Sequence, residues 1–136
     1  MTKKTILIAL ILTALIAASV ALFLSLKPDD GIMTAKGNVY VVNTTKLTPK
    51  VRGYAGVVPL EVTISGDKIQ AIKPLQNRET PDFFRAAINK LFAQYKGKTV
   101  KQALAERPDV ATGATYSSRA IIANVQVALE YYQTHK

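Results

Sequence analysis

The stretch that decides the fold is VVPLEVTISGDKIQAIKPL, residues 57–75. Its first half alternates apolar and polar residues with the period of a half-buried strand: Leu60, Val62 and Ile64 alternate with Glu61 and Thr63. Ser65-Gly66-Asp67 then forms a tight turn, and a second β-rich run follows. The stretch therefore predicts a β-hairpin. Two shorter β-rich runs precede it, Val39–Val42 and Val51–Ala55, and extend the prediction to a small antiparallel sheet.

A helix is predicted directly after the hairpin, over residues 81–96. Thr80 occupies the N-cap position, Pro81 the first helical position, and Gly97 follows the last apolar residue. The apolar residues of this segment share one stripe: Phe84, Ile88, Leu91, Phe92 and Tyr95.

A second long helix is predicted over residues 117–133, after one or two helical turns between Thr99 and Glu106. Its apolar face contains Ile121, Val125, Ala128, Leu129 and Tyr132, and we expect the polar residues Arg119, Asn124, Gln126 and Gln133 to lie elsewhere. The aromatic residues of both helices are expected in the core. The prediction is an α+β fold, a small antiparallel sheet packed with two main helices.

An uncharged segment from Thr5 to Leu26 precedes this domain. As a helix it would span about 33 Å, enough to cross the hydrocarbon layer of a membrane. Lys3 and Lys4 favour an N-terminus in the cytoplasm and a domain on the outer side of a bacterial cytoplasmic membrane. A cleaved signal peptide is the alternative, because small residues at 17–19 resemble a cleavage site. We expect a transmembrane anchor or signal peptide over residues 1–26, an unstructured linker over 27–36, and one domain over 37–136.

The exported part is basic and contains no cysteine. The whole chain carries a net charge of +9, and removing residues 1–26 deletes only two lysines, so the remaining 110 residues carry +9 − 2 = +7. Without disulfides, the domain depends on its own core for stability. The charge suits an anionic ligand, an acidic partner or an anionic surface. Nucleic acid is excluded as a partner, because the basic residues are scattered singly and the domain is exported.

A second stretch, DVATGATYSS at residues 109–118, is where we expect the chemistry. Gly113 and Ala114 leave the backbone almost bare, so a large group can approach it closely. Thr115 follows at the start of the last helix, whose free amide groups and positive dipole end favour a phosphate. Ser117 and Ser118 add hydroxyl groups, and either can cap the helix. An ordinary loop before a capped helix has the same short pattern.

Catalysis by the chain itself is not predicted. A threonine nucleophile needs a base, and the one histidine, His135, lies next to the C-terminus. No catalytic residue and no metal site are expected, because His, Asp and Glu show no metal-ligand spacing.

Asp109-x-x-Thr112-Gly113-Ala114-Thr115 resembles the acceptor motif of the FMN-binding domain family, which includes the C and G subunits of sodium-pumping NADH:quinone reductases and Rnf complexes. In that family an exported flavin transferase takes FMN from FAD and joins its phosphate to the last threonine of the motif. The resemblance implies that Thr115 is the acceptor and that Asp109 and Thr112 belong to the recognition pattern.

Two further elements extend the resemblance over residues 53–132. Gly53-Tyr54-x-Gly56 is similar to the opening of the family's domain, and Glu79-Thr80-Pro81 matches an element that lies near the isoalloxazine ring in relatives. Relatives often continue with Gly-Leu-Gly after this element, where this chain has Asp82-Phe83-Phe84.

The implied function is electron transfer by a membrane-anchored extracytoplasmic flavoprotein between redox partners, rather than catalysis by a stand-alone enzyme. Two alternatives remain open at this point. One is a noncovalent module for flavin or another anion. The other is a cofactor-free, basic interaction protein of the cell envelope.

Overall fold

The computed structural model describes residues 2–25 and 30–136. Its elements in chain order are α1 (Lys3–Ser25), β1 (Met33–Lys36), β2 (Val39–Asn43), β3 (Leu60–Ser65), β4 (Lys68–Pro74), α2 (Pro81–Tyr95), α3 (Val100–Ala105) and α4 (Thr115–His135). The predicted α+β class is confirmed: four strands form one antiparallel sheet in the order β1-β2-β3-β4, and helices pack against it.

The hairpin predicted from residues 57–75 is the centre of the sheet. β3 and β4 are joined by Gly66 and Asp67, which have φ angles of 56° and 59°. Positive φ at both central residues is the condition for a type I′ turn, whose twist matches that of the flanking strands. Asp tolerates this conformation better than most residues with a side chain. The turn therefore sets the pairing of Ser65 with Lys68 and of Ile64 with Ile69, and a bulge between Thr63 and Ile64 shifts the register by one residue beyond it.

The core lies between the sheet and helices α2 and α4. Leu60, Val62 and Ile64 of β3 are fully buried, as their alternation predicts. The predicted apolar face of α4 is confirmed, with Ile121, Val125, Ala128, Leu129 and Tyr132 all buried. In α2, Phe84, Leu91 and Tyr95 are buried, whereas Ile88 and Phe92 are partly buried at the edge of the core.

The prediction that Asn124 lies away from the core is wrong. Asn124 is fully buried, and its side-chain oxygen accepts hydrogen bonds from Thr44, at 2.6 Å, and from Thr48. Its amide donates to the carbonyl of Ala120 at 2.8 Å. This network joins α4 to the segment after β2, and its satisfied hydrogen bonds remove most of the cost of burying an amide.

Two local predictions about the N-terminal half are also wrong. Met33–Lys36, within the predicted unstructured linker, pairs with β2 as an edge strand. Val51–Ala55 forms no strand and makes only an isolated bridge between Arg52 and Val57. Residues 26–29, which include the predicted end of the anchor, lie outside the described residues, and the domain boundaries stay predictions.

α1 contains the one candidate membrane span in the described residues, Lys3–Val20, by length and composition. Its side chains as far as Val20 are all exposed. A helix without a polar face whose side chains are exposed as far as Val20 suits either a membrane anchor or a signal sequence.

Candidate functional site

A cavity of about 280 Å³ lies where the starts of α2 and α4 meet. It brings together six of the residues predicted for the site: Glu79, Thr80, Gly113, Ala114, Thr115 and Ser117. Two segments more than thirty residues apart in the chain thus contribute to one site. Residues of the Glu-Thr-Pro element and of the Gly-Ala-Thr element are therefore distant in the sequence but close together in the structure.

The backbone before α4 is shaped by Gly113 and Ala114. Gly113 has a φ of 80°, which favours glycine, and Ala114 occupies the N-cap position. Neither Ser117 nor Ser118 caps the helix, in contrast to the prediction, because the described structure contains no capping hydrogen bond from a side chain at this end. The first amide that pairs in the helical pattern belongs to Ser118, which donates to Ala114 at 2.9 Å.

Thr115 is the first residue of α4 and is half-buried in the cavity wall. Since the first amides of a helix have no partner within it, those of Thr115, Tyr116 and Ser117 are available to an anion. The positive end of the helix dipole adds to this preference. Thr115 therefore lies at a helix end that favours a phosphate.

Glu79 is buried at the base of the cavity. Its carboxylate accepts a hydrogen bond from the Ser117 hydroxyl at 3.0 Å and a longer one from the Ala55 amide at 3.3 Å. These bonds tie the start of α4 to the loop over residues 53–56. They also account for the burial of an acidic side chain, which is costly without partners.

Gly53 makes room for this carboxylate. A β-carbon at Gly53 would overlap Oε1 of Glu79 and would lie 2.9 Å from its carboxyl carbon and from Cγ2 of Val58. The φ angle of Gly53 is not in the left-handed region, so the requirement for glycine here is one of space. Gly56, three residues later, has nothing within 4 Å of such a carbon.

Three aromatic side chains complete the cavity, and sequence reasoning missed them as site residues. Tyr54, Phe83 and Tyr116 are 77%, 57% and 64% exposed, and all three line the cavity. The rings of Tyr54 and Tyr116 are 6.4 Å apart, tilted by 47°. The expectation that all helix aromatics belong to the core is wrong for Phe83 and Tyr116. Phe83 precedes Phe84 by one residue, and this offset of about 100° places it off the buried stripe.

Four predicted site residues do not line this cavity. Ser118 is fully buried, and its hydroxyl accepts a hydrogen bond from the Ala111 amide at 3.1 Å. Asp109 and Thr112 are exposed in the loop before α4, and Pro81 lies in the wall of an adjoining cavity. The backbone of Asp109 is bound to the Gln94 side chain through bonds of 2.7 and 2.9 Å. Their predicted part in flavin attachment stays a prediction.

The sequence profile of the FMN-binding domain matches residues 53–130, more than half of the chain. The chain belongs to the FMN-binding domain family. All nine residues lining the cavity fall within the matched segment. The resemblance inferred from the Thr115 motif, the Glu79 element and the Gly53 loop is thereby confirmed at the level of the family.

This FMN-binding domain is also similar to the G subunit of the Na⁺-translocating ferredoxin:NAD⁺ oxidoreductase complex of Acetobacterium woodii. The two are 29% identical over 120 residues, which cover 79% of this chain and 58% of the relative. The chain thus spans less than two thirds of that relative's length. No solved structure significantly matches this chain.

The residues of the cavity fit FMN by their chemistry. The bare Gly113-Ala114 backbone and the uncapped start of α4 suit the phosphate. Tyr54, Phe83 and Tyr116 offer apolar ring faces to the isoalloxazine. The family match makes FMN the cofactor, and the cavity supplies both kinds of contact that FMN requires.

Proposed function

We propose that this protein is a membrane-anchored, extracytoplasmic flavoprotein that holds FMN through a phosphoester to Thr115 and passes electrons between redox partners. The observation that carries the proposal is the position of Thr115, at the uncapped start of α4 and in the wall of the aromatic cavity. The helix end would hold the phosphate of FMN, and the aromatic residues would hold its ring.

Attachment requires a separate enzyme. In the proposed reaction, Thr115 Oγ1 forms a bond to the FMN phosphorus of FAD, the pyrophosphate bond breaks, AMP leaves and the threonine proton passes to a base. His135 is about 30 Å from Thr115 at the other end of α4, where it stacks on Tyr131 at 3.8 Å. The carboxylate of Glu79 is occupied by Ser117 and Ala55. An exported flavin transferase that binds FAD and supplies the base accounts for the step.

Bound FMN supplies the electron chemistry, and the chain holds and orients it. Phe83, Tyr54 and Tyr116 would hold the ring, and Glu79 fixes the start of α4 through Ser117. All three aromatic residues are largely exposed, so a ring held by them would be accessible to a partner protein. A covalent link keeps the cofactor on an exported protein where free flavin is scarce.

α1 and the two lysines at its start support the proposed membrane location. The helix is long enough to cross the membrane, and Lys3 and Lys4 favour retention of the N-terminus in the cytoplasm. The relative from Acetobacterium woodii is named as a subunit of a redox complex. By analogy we propose donor and acceptor proteins in the same membrane.

Coexpression with an exported flavin transferase tests the proposal. The protein should give a band that stays fluorescent in a denaturing gel, and Thr115→Ala should abolish it. Thr134→Ala, which removes an exposed threonine from the far end of the same helix, is the matched control and should leave the band unchanged.

The same experiment separates the two alternatives. Colour that is released completely on denaturation favours a noncovalent flavin module at the same helix end. A protein that remains colourless in the presence of an active transferase favours a cofactor-free interaction protein.

A further inference from the structure

A second cavity of about 490 Å³ lies between the end of α2, the loop after α3 and the middle of α4. It shares no lining residue with the cavity around Thr115. Its volume is within the range of small-molecule sites in proteins. Nothing in the proposed electron-transfer function uses it.

Tyr95, the last residue of α2, is the buried polar group of this cavity. Its side chain is only 4% exposed and lines the cavity wall. Within residues 2–25 and 30–136, its hydroxyl forms no hydrogen bond, and burial raises the pKa of Tyr95 to about 12. Every fully enclosed side-chain nitrogen or oxygen of the described residues has a partner, so this hydroxyl, which has none, keeps some accessible surface. A hydroxyl largely removed from water without a protein partner costs free energy, which a ligand atom in hydrogen-bonding distance would recover.

The wall of the cavity contains apolar side chains and is held in place on one side. Leu104 and Ile122 present partly buried aliphatic side chains to it. The loop side is fixed to α2, because Gln94 forms two bonds with the backbone of Asp109 and Lys90 donates to the Val110 carbonyl at 2.9 Å. The cavity thus has an apolar patch within a wall of mixed polarity, and its loop side is held in place.

The charge at the cavity is positive. Arg107 and Arg119 line it, and neither forms an ion pair within the described part of the chain. Glu106 also lines it, but this carboxylate is paired with Lys98. An anionic group at the mouth of the cavity would therefore meet two unpaired guanidinium groups, the side chains best suited to a carboxylate.

We propose that this cavity binds a ring-sized apolar carboxylate that carries a second polar group. The ring packs against Leu104 and Ile122, the carboxylate pairs with Arg119 and Arg107, and the second polar group hydrogen-bonds to the hydroxyl of Tyr95. The site is independent of flavin attachment at Thr115.

The test measures binding of 6-hydroxy-2-naphthoate to the full chain in lipid nanodiscs by calorimetry. Two further probes each lack one group: 2-naphthoate has no hydroxyl, and 2-naphthol has no carboxylate. Tyr95→Phe keeps the ring and removes only the hydroxyl. We expect it to weaken binding of 6-hydroxy-2-naphthoate by about three- to tenfold, the worth of one hydrogen bond, and to leave 2-naphthoate unchanged.

Arg119→Gln should weaken the binding of both carboxylates, 6-hydroxy-2-naphthoate and 2-naphthoate, and leave the binding of 2-naphthol unchanged. Arg85→Gln is the matched control, since Arg85 is an exposed arginine outside the cavity and should have no effect. The proposal is overturned if 6-hydroxy-2-naphthoate shows no binding up to about 1 mM, if Tyr95→Phe affects the three probes equally, or if Arg85→Gln acts like Arg119→Gln. Flavin loading at Thr115 is unaffected by each of these outcomes, so the two proposals fail separately.

Discussion

Gly53→Ala should destabilise the domain far more than the addition of one methyl group suggests. The new carbon would overlap Oε1 of Glu79 and lie 2.9 Å from Cγ2 of Val58, both of which are buried. Overpacking of this kind costs about 1–3 kcal/mol. If the carboxylate moves away, its hydrogen bonds to Ser117 and Ala55 break, and a bond to a charged group contributes about 1.5–3 kcal/mol.

If the carboxylate moves away, the overlap is relieved but its hydrogen bonds are lost, so the two costs do not simply add. We therefore expect a loss of about 2–4 kcal/mol in the free energy of unfolding. For a domain of this size that corresponds to a fall in Tm of about 10–20 °C. Urea denaturation followed by circular dichroism measures the first quantity, and a thermal melt measures the second. Flavin loading should fall as well, since Ser117 and Thr115 belong to the same helical turn.

Gly56→Ala provides the matched control. It adds the same atom to the same loop, where nothing lies within 4 Å, and should change stability by less than about 0.5 kcal/mol. In a Glu79→Ala background, Gly53→Ala should lose the part of its effect that comes from Glu79, because Oε1 and the carboxyl carbon are gone, and should keep the part that comes from Cγ2 of Val58. If Gly53→Ala costs no more than Gly56→Ala, the proposed packing of Gly53 against Glu79 is refuted.

Three further substitutions test other parts of the structure. Asn124→Ala should cost about 2–4 kcal/mol in urea denaturation, because the buried Thr44 hydroxyl loses its acceptor; an effect below about 1 kcal/mol would contradict this. The Lys136 ammonium beside Asp67 lowers the pKa of that carboxyl, so their pairing stabilises the fold above about pH 4 and is lost as the pH falls through the lowered value. Asp67→Asn, which still tolerates positive φ, should remove this part of the pH dependence, and an unchanged acid-unfolding profile would argue against the pairing. Gly113→Ala should cost about 1 kcal/mol through its φ of 80° and should reduce flavin loading in the gel assay, whereas full loading would show that the loop conformation is not required.

The features that are local in the sequence were predictable. The hairpin followed from the alternation in β3 and the Gly66-Asp67 turn, and α2 followed from Thr80, Pro81 and the apolar stripe. These signals arise from residues within one or two turns of each other. The motif residues Thr115 and Glu79 line one cavity, and their role as site residues stays a prediction.

The features that were missed depend on long-range contacts. Asn124 is a polar residue, and the helical pattern of the sequence predicts that it lies away from the core. Its burial depends on hydrogen bonds from Thr44 and Thr48, which lie more than seventy residues away in the sequence. β1 has little apolar character of its own and is a strand because β2 pairs with it. Phe83 and Tyr116 resemble core residues by composition, and only the tertiary structure shows that they face a cavity.

The most direct test of the account is the mass of the tryptic peptide that carries Thr115. After coexpression with an exported flavin transferase, cleavage at Lys101 and Arg119 yields residues 102–119, because the Arg107-Pro108 bond resists trypsin. Fragmentation of this peptide separates Thr115 from Thr112. We predict an increase equal to FMN less one water, located on Thr115. An unmodified Thr115 in protein exposed to an active transferase, or the same increase on Thr112, would contradict the central claim.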